Sequence, residues 1–310
     1  MVCFGYNLYS LIFYLYLFND FSYLFFSITY SFFSLNLLSK TRMYDTCIND
    51  KYSILPIKKR PFIGGNWKCH GTITSIDSLI SELNSHNTFS SIPEIVISVP
   101  ALHILHTKSI LNPDFFVAAQ DVGVNGNGPY TGEHSAEMLV DAGVIWTIIG
   151  HSERRHGFGI QGETSMLVAI KTKRAIDNGM KVIVCIGENL KERQEGKKNV
   201  VLRNMLEPLF DTLNECDWVN VVIAYEPVWA IGTGVTATPE QAEDTHLLIR
   251  KLISSRVSVN VASNLRIIYG GSVKKNNCEN LIKCMNIDGF LVGGASLLPE
   301  FSYIINCLQL

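Results

Sequence analysis

The sequence lacks the excess charge that marks several classes of protein. Its 310 residues include 26 basic and 28 acidic side chains, which leave a formal net charge of −2 at pH 7. A general nucleic-acid binder carries a basic excess, and an acidic disordered chain has little apolar content, whereas this chain is 47% hydrophobic. Both classes are therefore excluded, and we expect no nucleic-acid partner.

Metal-ligand spacing is also missing, although the sequence contains 8 cysteines. No two of them are arranged as C-x2-C, and no pair of histidines stands beside them at the spacing of a zinc site. Cys185 lies in an apolar segment at residues 182–186, which is typical of a small buried thiol. We expect no bound metal and a protein that folds with its thiols reduced.

Residues 1–60 lack the composition of the rest of the chain. No basic residue precedes Lys40, and Asp20 is the single acidic residue before it, whereas 14 of the 28 Phe and Tyr residues lie within residues 1–40. Residues 40–60 then carry six basic side chains against two acidic ones. We expect residues 1–60 to be an N-terminal extension outside a folded domain at residues 61–310.

Three interpretations of this extension stay open. An apolar segment followed by a basic one is typical of a targeting leader, here a two-part leader that would use the secretory route to reach a plastid-like organelle before its removal. A membrane anchor needs about 20 apolar residues, which Asp20 and the repeated Ser and Asn residues disfavour, so membrane contact is expected only if the leader is retained. Alternatively, translation starts near Met43 and the protein stays in the cytosol.

Residues 61–310 alternate short β-branched segments with helical patterns. Helices are predicted at residues 165–178, 200–213 and 274–285, and another begins at Thr238, which offers an N-cap followed by Pro239 and Gln241. Several of the predicted strands are apolar on both faces, as in a covered parallel sheet. The eight predicted strands lie at residues 62–66, 95–99, 115–119, 145–149, 181–186, 219–225, 265–269 and 289–292.

Eight strand–helix alternations in about 250 residues predict a single-domain α/β fold, a closed (β/α)8 barrel. The alternative is an open, doubly wound sheet. That fold is disfavoured because no G-x-G-x-x-G motif follows the first strand.

Polar residues follow several predicted strands at the point where each strand ends, and in a parallel barrel these positions face one site. Asn66 and Lys68 follow the first strand, His151 the fourth and Glu226 the sixth, while Gly-rich segments follow the seventh and eighth. Each feature alone is ordinary: a strand-end histidine is commonly structural, and glycines commonly form turns. Because a base, an acid, a cation and two Gly-rich loops occur together, we predict an active site.

The motifs that carry these residues resemble those of the triosephosphate isomerase family, in the family's order and across residues 61–310. The segment from Glu226 to Gly234 is the most specific of them, whereas the Gly-Gly pairs alone would be weak. The matching motifs are Gly65-Asn66-Trp67-Lys68, Gly150-His151-Ser152-Glu153-Arg154-Arg155, Tyr225-Glu226-Pro227-Val228-Trp229-Ala230-Ile231-Gly232-Thr233-Gly234, Tyr269-Gly270-Gly271-Ser272-Val273 and Val292-Gly293-Gly294-Ala295-Ser296-Leu297.

The resemblance implies a TIM barrel that interconverts dihydroxyacetone phosphate and D-glyceraldehyde 3-phosphate through an enediolate, without a cofactor. It assigns Glu226 as the base that accepts the proton. His151 would be the electrophile and would act as a neutral imidazole, because a helix N-terminus lowers its pKa. Such a pair of glutamate and neutral histidine is a well-known case of acid–base tuning in this family. Lys68 and Asn66 would stabilise the developing oxyanion.

The resemblance also implies a phosphate site, a lid and a partner subunit. The substrate phosphate would bind backbone amides at Ser272, Gly293 and Gly294, with Gly232 contributing from an apolar lid. A homodimer would form through the loop at residues 125–133. Two departures from the family's pattern are His70 after the first motif and a loop at residues 156–163 that is a few residues longer than usual, which leaves the role of Glu163 open.

Overall fold

The computed structural model describes residues 59–85, 93–159, 161–231 and 236–308. Eight parallel strands pair in chain order, and the first also pairs with the eighth, so the sheet closes into a barrel. The predicted (β/α)8 TIM barrel is confirmed, and the doubly wound alternative is wrong. The strands are β1 (Phe62–Asn66), β2 (Glu94–Ser98), β3 (Phe116–Ala119), β4 (Trp146–Ile149), β5 (Lys181–Ile186), β6 (Val221–Tyr225), β7 (Arg266–Tyr269) and β8 (Gly289–Val292).

Helices connect the strands. The α-helices in the described residues are α1 (Ile73–Ser85), α2 (Ile104–Ile110), α3 (Ala136–Asp141), α4 (Ser152–His156), α5 (Ser165–Asp177), α6 (Leu190–Gln194), α7 (Lys198–Thr212), α8 (Pro239–Arg256), α9 (Val259–Asn264), α10 (Cys278–Ile282) and α11 (Glu300–Cys307). Short 3-10 helices cover Ala101–His103, Gly157–Gly159, Glu215–Asn220, Val228–Ala230 and Gly294–Leu297. None of the helices in this part of the chain is long and apolar enough to cross a membrane.

Local side-chain chemistry sets the start of the longest helix as predicted. The Thr238 hydroxyl accepts a hydrogen bond from the Gln241 amide at 3.2 Å, and the Gln241 side chain accepts one from the Thr238 amide at 3.1 Å. Together with Pro239 in the first turn, this reciprocal pair satisfies amides that the helix itself leaves free.

Two elements are shorter than the sequence predicts. The sixth strand begins at Val221 because the preceding residues form the 3-10 helix Glu215–Asn220. The helix predicted at residues 274–285 covers Cys278–Ile282, because the Lys274 amide donates to the Asn277 side chain at 2.8 Å and closes a turn first.

The core has two layers. Inside the barrel, alternate strand residues pack against each other, and they include Cys185, which is fully buried as predicted. Between the barrel and its helices lies a larger apolar cluster that includes Ile63 and Phe301. The six cysteines within the described residues are free thiols.

The contacts of the barrel begin before residue 61. The Lys59 ammonium lies 2.9 Å from the Asp288 carboxylate, and both side chains are more than nine-tenths buried. The Arg60 guanidinium donates to the Pro93 carbonyl at 3.1 Å. Both residues, which the sequence interpretation placed in the extension, therefore contact the barrel directly.

Candidate active site

The carboxyl ends of the strands open into a cavity of about 660 Å³. It brings together seven of the eight predicted site residues: Asn66, Lys68, His151, Glu226, Ser272, Gly293 and Gly294. The eighth, Gly232, lies outside the described residues. Polar residues that follow different strands therefore share one cavity, as the topology of a parallel barrel requires.

Glu226 follows β6 directly and is buried, with 2% of its surface exposed. Its Oε1 lies 3.0 Å from His151 Nε2, and its Oε2 accepts a hydrogen bond from the Ser152 amide at 2.9 Å. Gly270 lies beside it, and a Cβ there would come within 3.0 Å of Glu226 Cγ, so the close approach favours glycine. Both carboxylate oxygens are thus held by partners from one segment after β4.

His151 is the N-cap of the short helix α4. Its Nδ1 accepts a hydrogen bond from the Glu153 amide at 3.3 Å. In the neutral imidazole the proton therefore resides on Nε2, the nitrogen that faces Glu226. The ring is oriented to donate from Nε2 into the cavity.

The two side chains shift each other's pKa in this arrangement. Burial by itself raises the pKa of Glu226, but the charge of His151, the hydrogen bonds from His151 and Ser152, and the Lys68 charge together hold it below its ordinary value. Burial likewise lowers the pKa of His151, but Glu226 and Glu153 outweigh it and raise that pKa. The expectation of a lowered histidine pKa is therefore wrong for this arrangement, because it left out the carboxylate at 3.0 Å.

Lys68 occupies an unusual backbone conformation for a residue with a side chain, with φ at 52°. Its amide donates to Asn66 Oδ1 at 2.9 Å, and its carbonyl accepts from Gln120 Nε2 at 2.7 Å. Its ammonium lies 2.6 Å from Glu153 Oε1. Such strain costs about 1–3 kcal/mol and persists only where neighbours fix it, which is common at active sites.

Another part of the cavity wall consists of backbone amides, and it lies next to Lys68. β8 ends at Val292, and the carbonyl of Gly293 accepts from Ser296 at 2.8 Å as the 3-10 helix Gly294–Leu297 begins. Within the described residues, the amides of Ser272, Gly293 and Gly294 donate to no protein group. Free amides at a helix start are a ready site for an anion, and a Cβ at Gly294 would stand in open space.

The base of the predicted lid is tied to a buried acid. Glu188 follows β5, is fully buried, and accepts hydrogen bonds from Trp229 Nε1 at 3.1 Å and from the Tyr225 hydroxyl at 3.0 Å. Arg193 pairs with the same carboxylate at 2.9 Å, and its guanidinium lies over the Trp229 ring at 4.2 Å. The residues that follow Glu226 are therefore anchored at their start.

Three site residues were absent from the sequence interpretation. Gln120 and Glu188 follow β3 and β5, so the rule about polar residues after strands could have found both. Glu153, which pairs with Lys68, lay inside a quoted motif, but no sequence signal indicates that the two side chains meet.

Glu163 acquires a clear place in the structure. Its Oε1 lies 2.7 Å from both Arg154 Nε and Lys171 Nζ, and Asp121 pairs with the same two cations. These partners hold the pKa of Glu163 below its ordinary value although burial by itself raises it. The longer loop therefore ends in a structural ion-pair cluster beside the cavity.

The chemistry of this cavity is acid–base. The described residues contain no group of three or more His, Cys, Asp or Glu side chains that could hold a metal ion. A buried carboxylate, an imidazole donor, an ammonium and a pocket of free amides define a barrel enzyme of the acid–base class that handles a small anionic substrate.

Comparisons with known proteins identify the family. A family model described as Triosephosphate isomerase matches residues 61–308. A triosephosphate isomerase of Emericella nidulans is 49% identical over 245 residues, which are 79% of this chain and 97% of the fungal protein. The chain belongs to the triosephosphate isomerase family, which confirms the resemblance drawn from its motifs.

Two plant relatives carry a location in their names. The cytosolic triosephosphate isomerase of Oryza sativa subsp. japonica is 47% identical over 246 residues, or 79% of this chain and 95% of the rice protein. The chloroplastic one of Secale cereale is 48% identical over 246 residues, or 79% of this chain and 80% of the rye protein. Similar proteins thus include cytosolic and chloroplastic forms.

Proposed function

We propose that this chain is an intramolecular oxidoreductase that interconverts dihydroxyacetone phosphate and D-glyceraldehyde 3-phosphate, a step of glycolysis and gluconeogenesis. The observation that carries the proposal is the Glu226–His151 pair at 3.0 Å in a cavity that also presents free amides. An aldose–ketose exchange needs a base for a carbon-bound proton and a donor beside two oxygens. The family membership supports the same reaction.

Glu226 is the proposed proton acceptor. Its lowered pKa keeps it ionised near neutral pH, and its burial removes the water that would otherwise solvate the carboxylate. It would take a proton from one carbon of the substrate to give an enediolate and return that proton to the neighbouring carbon. To reach the carbon it must leave His151 and the Ser152 amide.

His151 is the proposed electrophile. Its Nε2 proton would be donated to each developing oxyanion in turn. When Glu226 turns to the substrate, the main cause that raises the pKa of His151 leaves; burial and the Lys68 charge then lower that pKa, against the Glu153 charge, which raises it. The neutral imidazole then predominates, as the reaction requires.

Lys68 and Asn66 complete the proposed catalytic set. Asn66 Oδ1 accepts from the Lys68 amide. Within the described residues the Asn66 side-chain nitrogen donates to no protein group, and it would donate to the substrate. The Lys68 ammonium would supply a positive charge to the oxyanion and the phosphate once it shifts away from Glu153. We propose that the phosphate binds the amides of Ser272, Gly293 and Gly294, with Gly232 added by the lid. Every proposed step is a proton transfer, so the reaction needs no cofactor.

We also propose that the protein is a homodimer formed through residues 125–133. This loop presents exposed residues, including Tyr130, and Cys69 is exposed as well. Sedimentation equilibrium of residues 59–310 should give twice the mass of one chain, and the mass of a single chain at micromolar concentration would contradict the proposal.

The domain layout and location are proposals of the same kind. We propose that residues 61–310 form the catalytic barrel and that the preceding segment is a leader that directs the protein to a plastid-like organelle; a start near Met43 would instead leave it in the cytosol. The match that begins at residue 61 supports this layout. N-terminal sequencing of the fractionated native protein distinguishes the two, since a start near residue 43 in the cytosol would contradict the leader.

The function is tested with purified residues 59–310. In a coupled assay with D-glyceraldehyde 3-phosphate and a metal chelator present, we expect turnover in the range of about 1–10³ s⁻¹ or above. Turnover no faster than the uncatalysed reaction, in a sample whose circular dichroism shows a folded barrel, would contradict the proposal.

A further inference from the structure

Arg155 lies behind the Glu226–His151 pair and has no carboxylate partner among the described residues. Its guanidinium donates instead to the Gly150 carbonyl at 2.8 Å, the Cys185 carbonyl at 3.0 Å and the Ser165 hydroxyl at 3.2 Å. Burial lowers the pKa of Arg155. A cation that is partly removed from water is usually paired with an acid. The half-buried Arg155 instead bonds to two carbonyls and a hydroxyl, while Glu226 and Glu163 act on its charge through space.

Arg155 and Glu226 line the same cavity of about 280 Å³, and Glu226 also lines the substrate cavity. The other titratable groups around it are His156, Glu163, Cys185 and Glu192. Glu226 also faces His151 and Lys68 from the substrate side. The Lys68 ammonium is paired with Glu153. Arg155 makes no ion pair with a carboxylate within the described residues, and its charge interacts through space with Glu226 and Glu163.

The backbone hydrogen bonds of Arg155 go to the residue before His151 and to the strand that pairs with β6. Gly150 directly precedes His151 and has φ at 71°, so its carbonyl direction sets where the histidine begins. Cys185 lies opposite Ala224 in the β5–β6 pairing, two residues before Glu226. One guanidinium therefore links the ends of β4 and β5, beside both reacting side chains.

The loop at residues 156–163 packs against the backbone of Arg155. Gly162 packs directly on the Arg155 carbonyl, so closely that a Cβ at Gly162 would lie 1.8 Å from that oxygen. The Glu163 amide also donates to the Arg154 carbonyl at 3.0 Å. The loop therefore packs against the two residues Arg154 and Arg155.

We propose that Arg155 is a positioning residue for the isomerisation: its guanidinium links the end of β4, which His151 follows, to β5, whose neighbour β6 leads into Glu226, and its positive charge favours the ionised Glu226 carboxylate. This inference rests on the proposed function. The proposed role of Arg155 has two parts. The geometric part needs the planar guanidinium with its five N–H donors, and the electrostatic part needs only a positive charge.

Two substitutions separate these parts, with Arg203→Met on α7 as the matched control. Arg155→Met removes the fork and the charge, and Arg155→Lys keeps the charge. We expect R155M to lower kcat by about tenfold or more, because small misplacements of reacting groups are costly. We also expect the acid limb of its kcat/KM profile to move to higher pH, because a carboxylate without that cation protonates more readily. R155K should keep the wild-type acid limb with a lowered kcat.

A merely structural role gives a different result. R155M would then lose thermal stability while kcat and the acid limb, measured where circular dichroism shows a folded protein, match R203M; that outcome overturns the proposal. If R155M does not fold, R155K decides, since an unchanged kcat in R155K also overturns the geometric part.

A second readout does not depend on turnover. The ¹⁵N NMR signals of the His151 imidazole report its hydrogen bonds to Glu226 and to the Glu153 amide. We expect these signals to shift in R155M and not in R203M, and unchanged signals in R155M would contradict the positioning role. If the wild type shows no isomerase activity but R155M shifts the signals, the proposed function fails and the structural coupling stands.

Discussion

The two sides of the substrate cavity differ in their hydrogen bonding before any substrate binds. On the acid–base side, Glu226, His151 and Lys68 satisfy each other and their neighbours at 2.6–3.0 Å. On the phosphate side, the amides of Gly293 and Gly294 have no protein acceptor within the described residues. The proposed phosphate side therefore has free donors before substrate binds, whereas the proposed acid–base side would exchange its own contacts for contacts with the substrate.

This difference follows from the kinds of groups involved. Backbone amides at the start of a short helix cannot turn toward another partner. They therefore stay available for an anion without any rearrangement of the backbone. A buried carboxylate left without a partner would be expensive, so Glu226 is held by His151 and Ser152 until a substrate replaces them. Removing groups from each side should therefore give distinct kinetic results.

The largest effect is expected on the acid–base side, from Glu226→Asp. The shorter side chain withdraws the carboxylate from the carbon while it keeps the charge, and we expect kcat to fall by about 10²–10⁴-fold, the range attributed to general base catalysis. Steady-state kinetics in both directions measure this loss. The exposed acid Glu240→Asp is the control, and a loss of less than fivefold in E226D would contradict the role of Glu226.

His151→Gln should have the next largest effect. Glutamine keeps a donor near the oxyanion but cannot reproduce the Nε2 position that the Glu153 amide fixes. We expect kcat to fall by about 10²-fold, comparable to the loss of one oxyanion donor, with little change in KM. A change confined to KM would show that His151 binds substrate without assisting the chemistry.

A substitution on the phosphate side should reverse this pattern. Gly293→Ala places a methyl group 3.5 Å from Lys68 Cε, beside the free amides. Because the methyl restricts the approach of an anion, we expect KM to rise by about tenfold, which corresponds to about 1.4 kcal/mol of binding, while kcat changes less. Titration calorimetry with inorganic phosphate checks the same loss directly, and an unchanged phosphate affinity would contradict the assignment.

The smallest effect concerns the coupling within the acid–base side. In the wild type the Glu226 charge is the main cause that raises the pKa of His151, against burial, which lowers it. Glu226→Gln removes that charge, so the pKa of His151 should fall below its wild-type value. An ¹⁵N NMR titration of the imidazole measures it, and a pKa that rises or stays constant would show that Glu226 does not set it.

Much of the fold and several site residues could be predicted from the sequence, and the contacts that could not be predicted share a physical cause. Strand ends and a capping pattern follow from local chemistry, so Asn66, His151, Glu226 and the start of α8 could be predicted. Contacts between distant segments could not, because nothing local indicates that Glu153 reaches Lys68 across 85 residues of sequence. The predicted lowering of the His151 pKa was wrong for the same reason, because that pKa depends on the carboxylate of Glu226, which follows β6.

One strand boundary was also predicted wrongly, by two residues. The sixth strand begins two residues later than predicted because the Asn214 amide and the Asp217 side chain hydrogen bond at 2.8 Å and start a 3-10 helix. An apolar residue such as Val219, which is 79% exposed there, reads as a strand residue when its neighbours are unknown.

The most direct test of the central claim measures both sides of the cavity in one variant. Wild type and the double variant Glu226→Gln, His151→Gln are compared for turnover and for calorimetric binding of inorganic phosphate. We predict that turnover falls by at least about 10³-fold while the phosphate Kd stays within about twofold, because the two sides bind independently. A parallel loss of phosphate binding in the folded variant would contradict a preformed phosphate side, and retained turnover would contradict the acid–base assignment.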